Sequence, residues 1–277
     1  MSTSGTETAP GPAPATAEGP LLSVDEVVKS FGGLRAVNGC TLSVGRGTIT
    51  GLIGPNGAGK TTLFGLITGF HRPDSGRIHF RGRDITGLAP HRIFRHGLCR
   101  TFQIPREHGS MTVLENLMLV PPRQAGERLW NPLVRPGLVA QQEREVREKA
   151  REVLEFVTLD HLTHEYAANL SGGQKKLLEL ARTLMADPTL ILLDEPAAGV
   201  NPTLMEKIAE KIVQLREERG ITFLLIEHDM SLVMRLCDPV IVMSQGAKLA
   251  EGAPESVRTD PRVLEAYLGG QYAAAEG

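Results

Sequence analysis

A glycine-rich stretch with a single lysine decides the fold of this chain, and it reads Gly54-Pro55-Asn56-Gly57-Ala58-Gly59-Lys60-Thr61-Thr62. The stretch fits the pattern G-x-x-x-x-G-K-[ST]. An apolar run at 49–53 precedes it and predicts a buried strand. An apolar periodic run at 62–67 follows it and predicts a helix that ends near Gly69. A strand, a glycine loop and a helix are the surroundings that this pattern requires.

The residue types in this stretch suit the binding of phosphate. Glycines allow the backbone to turn tightly and place no Cβ between the amide N–H groups and an anion. Those N–H groups and the positive end of the following helix would surround a phosphate. Lys60 adds a cation for the β- and γ-phosphates, and the Thr61 hydroxyl can ligate Mg²⁺. The alternative, a glycine-rich turn that fits the pattern by accident, does not explain the flanking strand and helix.

Composition and charge exclude several classes of protein. The 277 residues are 41% hydrophobic and 22% charged with a net charge of −2, which is typical of a soluble globular chain. No strongly basic field favours nucleic acid or an anionic membrane. Cys40, Cys99 and Cys237 lie far apart and predict reduced cytoplasmic thiols. No apolar run approaches the roughly 18 residues of a membrane span, and no secretory signal is present. We therefore expect a cytoplasmic chain whose membrane partner, if any, is a separate subunit.

The pattern of apolar residues divides the chain into segments. Residues 1–20, rich in Ala, Pro, Thr and Gly, predict a disordered tail, and residues 269–277 predict a second flexible tail. Residues 21–103 are mostly predicted strands, and strands alternate with helices over 188–268. Residues 104–187 are mainly helical and would form a lobe inserted into the sheeted one. The predicted fold class is α/β.

The individual elements follow from periodicity and capping. Strands are predicted at 22–28, 41–44, 48–53, 77–81, 98–102, 190–193, 221–226, 239–243 and 247–250. Helices are predicted at 62–67, from 90, at 113–120, 141–157 and 171–186, from 202, and at 261–268. Capping boxes begin two of these helices, Thr112 with Glu115 and Ser171 with Gln174. Residues 121–139 receive no assignment.

Two carboxylates end the apolar strand at 190–193. Adjacent residues of a strand point to opposite sides, so Asp194 and Glu195 should have different roles. Asp194 is placed to hold Mg²⁺, directly or through water. Glu195 is then available to orient and deprotonate an attacking water. The alternative, an acidic strand end at the surface, is weaker in a chain that also carries a phosphate loop.

A second glycine motif and two single residues complete the candidate site. The run Leu170-Ser171-Gly172-Gly173-Gln174 exposes N–H groups at a helix N-terminus, which predicts a second anion site. A capped helix explains Ser171 and Gln174 but not two successive glycines. His228 follows a strand that should end beside the strand bearing Glu195, and Gln103 ends a strand at the joint between the lobes. The other seven histidines are interpreted as structural or surface residues.

In this order, the motifs resemble those of the ATP-binding subunit of ABC transporters over roughly residues 21–269. The Walker A motif corresponds to 54–61, the Q-loop to Gln103, the signature to 170–174 and Walker B to 190–194. His228 corresponds to the switch histidine. The resemblance implies a P-loop ABC ATPase fold over 21–268, with a RecA-like sheeted lobe, an antiparallel β subdomain and the inserted helical lobe.

The resemblance also implies roles that spacing alone does not give. Two subunits would hold two ATP molecules head to tail, with Mg²⁺ at each. Ser171 and Gly173, with Gly172 and Gln174, would face the γ-phosphate bound to the other subunit. Phe31 resembles the aromatic residue that stacks on adenine. In addition to Glu195, the resemblance implies two catalytic residues. Gln103 would also sense Mg²⁺ and water, and His228 would contact the γ-phosphate.

A narrower resemblance points to the branched-chain amino-acid uptake branch. It rests on the runs FGGLRAV, RTFQIPREHGSMTVLENLML, DEPAAGVNP, LLIEHDMSLVMRLCDPVIVM and DPRVLEAYLG. It implies a motor subunit on the cytoplasmic face of the membrane. Its partners would be permease subunits, a second ATP-binding subunit that is a paralogue or a copy, and indirectly a solute-binding protein. The chain departs from the expected pattern at two points. Asn201 replaces the usual Asp at the end of the D-loop, and the signature is the common LSGGQ, which members of this branch often vary.

Three alternatives remain at this point. The chain could serve an importer or an exporter of another solute, for example urea or a lipid. The chain could be a soluble ABC ATPase, although a single motif set argues against the translation type and the lack of a long coiled coil argues against the DNA-repair type. It could also be a nucleotide-gated regulatory or scaffold protein without useful hydrolysis, against which Glu195 and His228 argue.

Overall fold

The computed structural model describes residues 19–101, 107–122, 124–127, 130 and 134–273. Residues 1–18 of the predicted N-terminal tail and 274–277 of the C-terminal tail lie outside these ranges. The described strands, numbered in chain order, form one six-stranded and one four-stranded sheet. Helices pack on the sheets, and the helices between residues 113 and 184 form a separate helical segment.

The six-stranded sheet carries the elements on which the candidate site is built. Its strands, in spatial order, are β10 (Ala247–Gly252), β9 (Val240–Ser244), β3 (Ile49–Ile53), β8 (Thr222–Ile226), β7 (Leu190–Asp194) and β6 (Leu98–Arg100). The strands from β9 to β6 are parallel, and β10 is antiparallel to β9. Every residue of β3, β7 and β8 is buried, as expected for central parallel strands covered on both faces.

The four-stranded sheet is antiparallel. Its strands, in spatial order, are β2 (Leu34–Val44), β1 (Leu22–Phe31), β4 (Ser75–Phe80) and β5 (Arg83–Asp84). The predicted strand at 41–44 is only the end of β2, which begins at Leu34. The first half of β2 is mostly exposed and lacks apolar alternation, and its pairing with β1 gives it strand structure.

Nine α-helices are described within the stated ranges. They are α1 (Lys60–Ile67), α2 (Pro90–Phe94), α3 (Val113–Met118), α4 (Pro136–Phe156), α5 (Gly172–Leu184), α6 (Pro202–Arg219), α7 (Met230–Leu236), α8 (Pro254–Arg258) and α9 (Pro261–Ala273). Both predicted capping boxes are present, at α3 and α5. Asn201 caps α6 through the Leu204 amide at 2.9 Å. The short helices α7 and α8 are not predicted, although α2 and α3 are of similar length.

Several helix boundaries differ from the sequence-based expectation. The helix α1 begins at Lys60 rather than at residue 62, and α3 ends at Met118 rather than at residue 120. The helix α4 begins at Pro136 rather than near residue 141, because a proline at the first helical position needs no N–H partner. The helix α5 ends at Leu184 rather than near residue 186. The helix α9 continues to Ala273, beyond the predicted end at 268. Glycines at 269 and 270 make that extension difficult to predict, since glycine disfavours a helix.

Two hydrophobic clusters pack on opposite faces of the six-stranded sheet. Alternation along β3 sends Ile49 and Ile53 into one cluster and Leu52 into the other. The first cluster also contains Val153 of α4 and Leu178 of α5. The helical segment therefore shares a continuous core with one face of the sheet. Among the described residues, no helix combines the length and the apolar character needed to cross a bilayer.

All three cysteines are free and buried. Burial raises the pKa of Cys40 to about 11 and the pKa of Cys99 and Cys237 to about 12. We expect the native chain to resist a thiolate-selective reagent at about pH 8, where a pKa of about 11 leaves roughly 0.1% thiolate. The measurement is thiol labelling with and without denaturant. Rapid labelling of a native thiol would contradict the expected burial.

Candidate nucleotide-binding site

Three neighbouring strands deliver the candidate residues to one edge of the sheet. The parallel order β3, β8, β7 places the carboxyl ends of these strands side by side. Ligands of open α/β sheets bind at this edge. A cavity of about 510 Å³ lies there and is lined by Leu34, Arg35, Ala36, Asn56, Gly57, Ala58, Gly59, Lys60, Thr61, Thr62, Glu195, His228 and Gln245. The structure thus brings the phosphate-loop residues together with Glu195 and His228.

Two glycines of the phosphate loop have no room for a side chain. A Cβ on Gly54 would lie 2.1 Å from the Met243 carbonyl oxygen. A Cβ on Gly59 would lie 2.3 Å from the Ala36 carbonyl oxygen, and the φ angle of Gly59 is +96°. Because both neighbours are backbone atoms, they cannot rotate away. These glycines therefore let the loop pack tightly between β9 and β2, beyond any role toward an anion.

Gly59→Ala is expected to lower the free energy of unfolding by about 2–4 kcal/mol, since overpacking adds to left-handed strain. The matched control is Gly57→Ala, because Gly57 also has a positive φ (+77°) but nothing within 4 Å of its added Cβ. The control should lose only about 1–2 kcal/mol. Urea unfolding without nucleotide measures both variants. Equal losses would show that the contact with Ala36 has no energetic importance.

Lys60 lies along the inside of the loop. Its Nζ donates hydrogen bonds to the carbonyl oxygens of Gly54 at 2.7 Å and Pro55 at 3.0 Å. The residue is only 6% exposed. Burial lowers the pKa of Lys60, and the negative charges of Glu195 and Asp194 oppose that shift. The ammonium group is therefore already held at the loop that would carry the phosphates.

Asp194 is paired with a residue that the motifs do not predict. Its Oδ2 accepts a hydrogen bond from Arg100 Nη2 at 2.6 Å, and both side chains are largely buried. The Arg100 guanidinium also lies 5.7 Å from the centroid of the Phe64 ring. A cation within an apolar strand is the sequence signal that could have indicated a buried ion pair. A carboxylate has lone pairs beyond the one used by Arg100, so the donor chemistry still suits Mg²⁺.

Glu195, which follows β7, and His228, which lies two residues after the end of β8, contact each other directly. His228 Nε2 lies 2.9 Å from Glu195 Oε1. Glu195 has a φ of +50°, in the left-handed region that non-glycine residues rarely occupy. Its amide donates to the Ile226 carbonyl oxygen at 2.9 Å. The prediction that the strand before His228 ends beside the strand bearing Glu195 is confirmed.

The signature residues stand apart from this cavity. Ser171 Oγ accepts from the Gln174 amide at 3.3 Å, and Gln174 Oε1 accepts from the Ser171 amide at 2.8 Å. A Cβ on Gly173 would lie 1.8 Å from Leu204 Cδ2, whereas Gly172 has open space. A side chain at Gly173 would therefore have to displace the Leu204 side chain of α6, which is one structural reason for a small residue there. None of Ser171 to Gln174 lines the cavity.

Two further candidates lie elsewhere. Phe31 ends β1, is 43% exposed, and has the His71 ring edge-on at a centroid distance of 5.3 Å. Its partner across the hairpin, Leu34, lines the cavity with Arg35, and neither of these is predicted from the motifs. The strand predicted to end at Gln103 is wrong in its length, because β6 ends at Arg100. Gln103 itself lies outside the described residues.

Two family models match the chain. The model for the ABC transporter matches residues 37–198. The model for the branched-chain amino acid ATP-binding cassette transporter matches residues 247–273. The first model therefore covers the residues from β2 to the loop after β7, and the second covers β10 to α9.

Relatives and solved structures agree over nearly the whole length. The probable branched-chain amino acid transport ATP-binding protein LivG of Archaeoglobus fulgidus is 45% identical over 92% of this chain and 98% of its own. The high-affinity protein BraF of Pseudomonas aeruginosa, with the same described role, is 44% identical over 90% and 98%. A crystal structure of a nucleotide-free ATP-binding cassette from an ABC transporter superposes with a TM-score of 0.77 at 40% identity, covering 89% of this chain and 98% of that chain. An ATP-binding cassette in its ADP conformation superposes with a TM-score of 0.77 at 39% identity, covering 90% and 99%.

Proposed function

This chain belongs to the ABC transporter family of ATP-binding proteins, and we propose that it is the motor subunit of an importer for branched-chain or related amino acids. ATP hydrolysis is the activity of the family. The observation that carries the proposal is the cavity of about 510 Å³ that Lys60 and the phosphate loop line together with Glu195 and His228. The names of the relatives and the match at 247–273 support the amino-acid part.

The chemistry follows from the positions of these side chains. Lys60 would exchange its bonds to the Gly54 and Pro55 carbonyls for bonds to the β- and γ-phosphates. The hydroxyl of Thr61 and the carboxylate of Asp194 would hold Mg²⁺, which when bound neutralises phosphate charge. Glu195 would accept the proton of the attacking water. His228, hydrogen-bonded to Glu195, would orient that carboxylate and contact the γ-phosphate.

A second subunit would complete the site. Ser171, Gly172, Gly173 and Gln174 begin α5 away from their own chain's cavity. Their N–H groups would face the γ-phosphate held by another subunit, which is a copy or a paralogue. Phe31 is proposed to contact adenine, and Gln103 is proposed to sense Mg²⁺ and water. ATP would favour the closed pair because it binds both subunits only in that state.

The transport partners belong to the same proposal. The ATP-binding domain would span 21–268, and its helical lobe at 104–187 would contact a permease at the cytoplasmic face of the membrane. A solute-binding protein would act only through that permease, and nucleic acid has no role. Other solutes, such as urea or a lipid, and a soluble role without transport are outcomes that the following test separates.

Gene deletion with uptake assays tests the proposal. Loss of the gene should abolish the ATP-dependent uptake of labelled leucine at low concentration, and the wild-type gene should restore it. The Glu195→Gln variant should not. A tagged chain should also co-purify with permease subunits from solubilised membranes. Normal leucine, isoleucine and valine uptake with loss of another solute would overturn the amino-acid part. Absence of any permease and of any uptake defect would overturn the transport role.

A further inference from the structure

A buried carboxylate that the reaction scheme does not use lies directly before His228. Glu227 is 4% exposed. Its Oε1 accepts a hydrogen bond from the Ala197 amide at 2.7 Å, and its Oε2 accepts one from the His228 amide at 3.0 Å. One side chain therefore joins the loop that follows β7 to the loop that follows β8. Each loop carries one member of the Glu195–His228 pair.

We propose that Glu227 is a positioning residue for ATP hydrolysis, which fixes the placement of Glu195 relative to His228. This inference rests on the proposed roles of those two residues. Besides the Glu227 bonds, the loops are joined by the Glu195 amide to the Ile226 carbonyl at 2.9 Å and by the side-chain contact of Glu195 with His228 at 2.9 Å. The other two contacts are made by Glu195 itself. Of these contacts, the Glu227 bonds are the ones made by a side chain that belongs neither to Glu195 nor to His228.

The backbone at Glu195 shows why such a brace is needed. A non-glycine residue at φ +50° is strained and persists only where the surrounding structure holds it. The bond from the Ala197 amide to Glu227 holds the loop two residues after Glu195. Without it, the loop would keep the contacts of Glu195 with Ile226 and His228 but lose this bond two residues later, so the Glu195 carboxylate would be displaced more easily from the water position. A displacement of about 1 Å can reduce a rate by about 10²-fold.

A glutamate side chain suits position 227, and a glutamine side chain cannot make the same two hydrogen bonds. Two N–H groups point at its two oxygens, and an ionised carboxylate accepts at both. A glutamine has one oxygen and one NH₂ group, so one backbone N–H would meet a donor. Because Glu227 is buried, its carboxylate oxygens depend on these two N–H donors in place of water. Glu227→Gln therefore breaks one link while preserving size.

Kinetics and amide exchange of purified full-length variants test the proposal. Glu227→Gln should lower the kcat of ATP hydrolysis by about 10-fold and Glu227→Ala by about 10²-fold, while the Kd for Mg·ATP changes less than about threefold. Hydrogen exchange should accelerate in peptides containing Ala197 and His228 and stay unchanged in β3. The stability control is Leu215→Ala, in the buried face of α6, which should lower Tm without an equal loss of kcat.

Several results would overturn the proposal. One is a kcat within twofold of the wild type in both Glu227 variants. Another is a loss of Mg·ATP affinity as large as the loss of kcat. A third is a Leu215→Ala variant that matches a Glu227 variant in Tm and loses as much kcat. If neither Glu227 variant folds, exchange in the wild-type chain decides, because fast exchange at both the Ala197 and His228 amides contradicts the brace. Glu195→Gln is assayed in parallel, so normal turnover there identifies a failure of the reaction scheme. Transport does not enter these measurements.

Discussion

Glu195→Gln is expected to keep ATP binding and to lower ATP turnover by about 10²–10⁴-fold, because a general base is lost while the side-chain volume stays the same. Glu195 lines the phosphate cavity and lies 2.9 Å from His228 Nε2. The amide oxygen of glutamine can keep a hydrogen bond to His228 but cannot accept the proton of water. The loss should therefore fall on kcat and leave the Kd for Mg·ATP nearly unchanged.

The experiment pairs phosphate release with equilibrium ATP binding on the same preparations. Its matched control is Glu206→Gln, an identical change at an exposed acid of α6 whose side chain is 63% exposed. The control should hydrolyse ATP within twofold of the wild type. Normal turnover by Glu195→Gln would remove Glu195 from the role of base. A parallel loss of ATP affinity would instead make Glu195 a binding residue.

Local patterns were sufficient to predict the elements that carry the site. The candidate residues lie at or after the ends of three short apolar strands. The phosphate loop follows β3, Asp194 ends β7 and Glu195 follows it, and His228 comes after β8. An apolar strand of this kind predicts its own burial. The parallel sheet then brings the three strand ends together. Capping boxes at α3 and α5 are equally local, because they join residues three positions apart.

What could not be predicted depends on contacts between distant segments. Arg100 pairs with Asp194 across 94 positions of sequence, and Glu227 bonds to the Ala197 amide across 30. Gly173 lies against the Leu204 side chain, which belongs to another helix. The exposed half of β2 owes its strand structure to pairing with β1. The cation in the apolar strand at 98–100 hints at a buried pair but not at its partner, and the other contacts have no periodic or motif signal in a single sequence.

Lys60→Ala is expected to weaken nucleotide binding itself, by about 10–10²-fold, because a charge-assisted hydrogen bond to phosphate contributes about 1.5–3 kcal/mol. The difference from Glu195→Gln lies in where each group acts. Lys60 Nζ is already hydrogen-bonded to the Gly54 and Pro55 carbonyls of the loop, so it would meet the phosphates in the ground state. The loss should thus appear in the Kd for ATP, with and without Mg²⁺.

Titration calorimetry with ATP measures this change, and Lys149→Ala provides the matched control. Lys149 belongs to α4 and bonds to Asp187 and to the Met185 carbonyl. None of these residues lines the phosphate cavity. Its removal should leave the Kd for ATP within about twofold, since no phosphate contact is lost. An unchanged Kd in Lys60→Ala would contradict direct contact between the ammonium and the phosphates. Because the buried lysine also bonds to the loop carbonyls, a thermal melt of each variant without nucleotide separates lost affinity from a disordered loop.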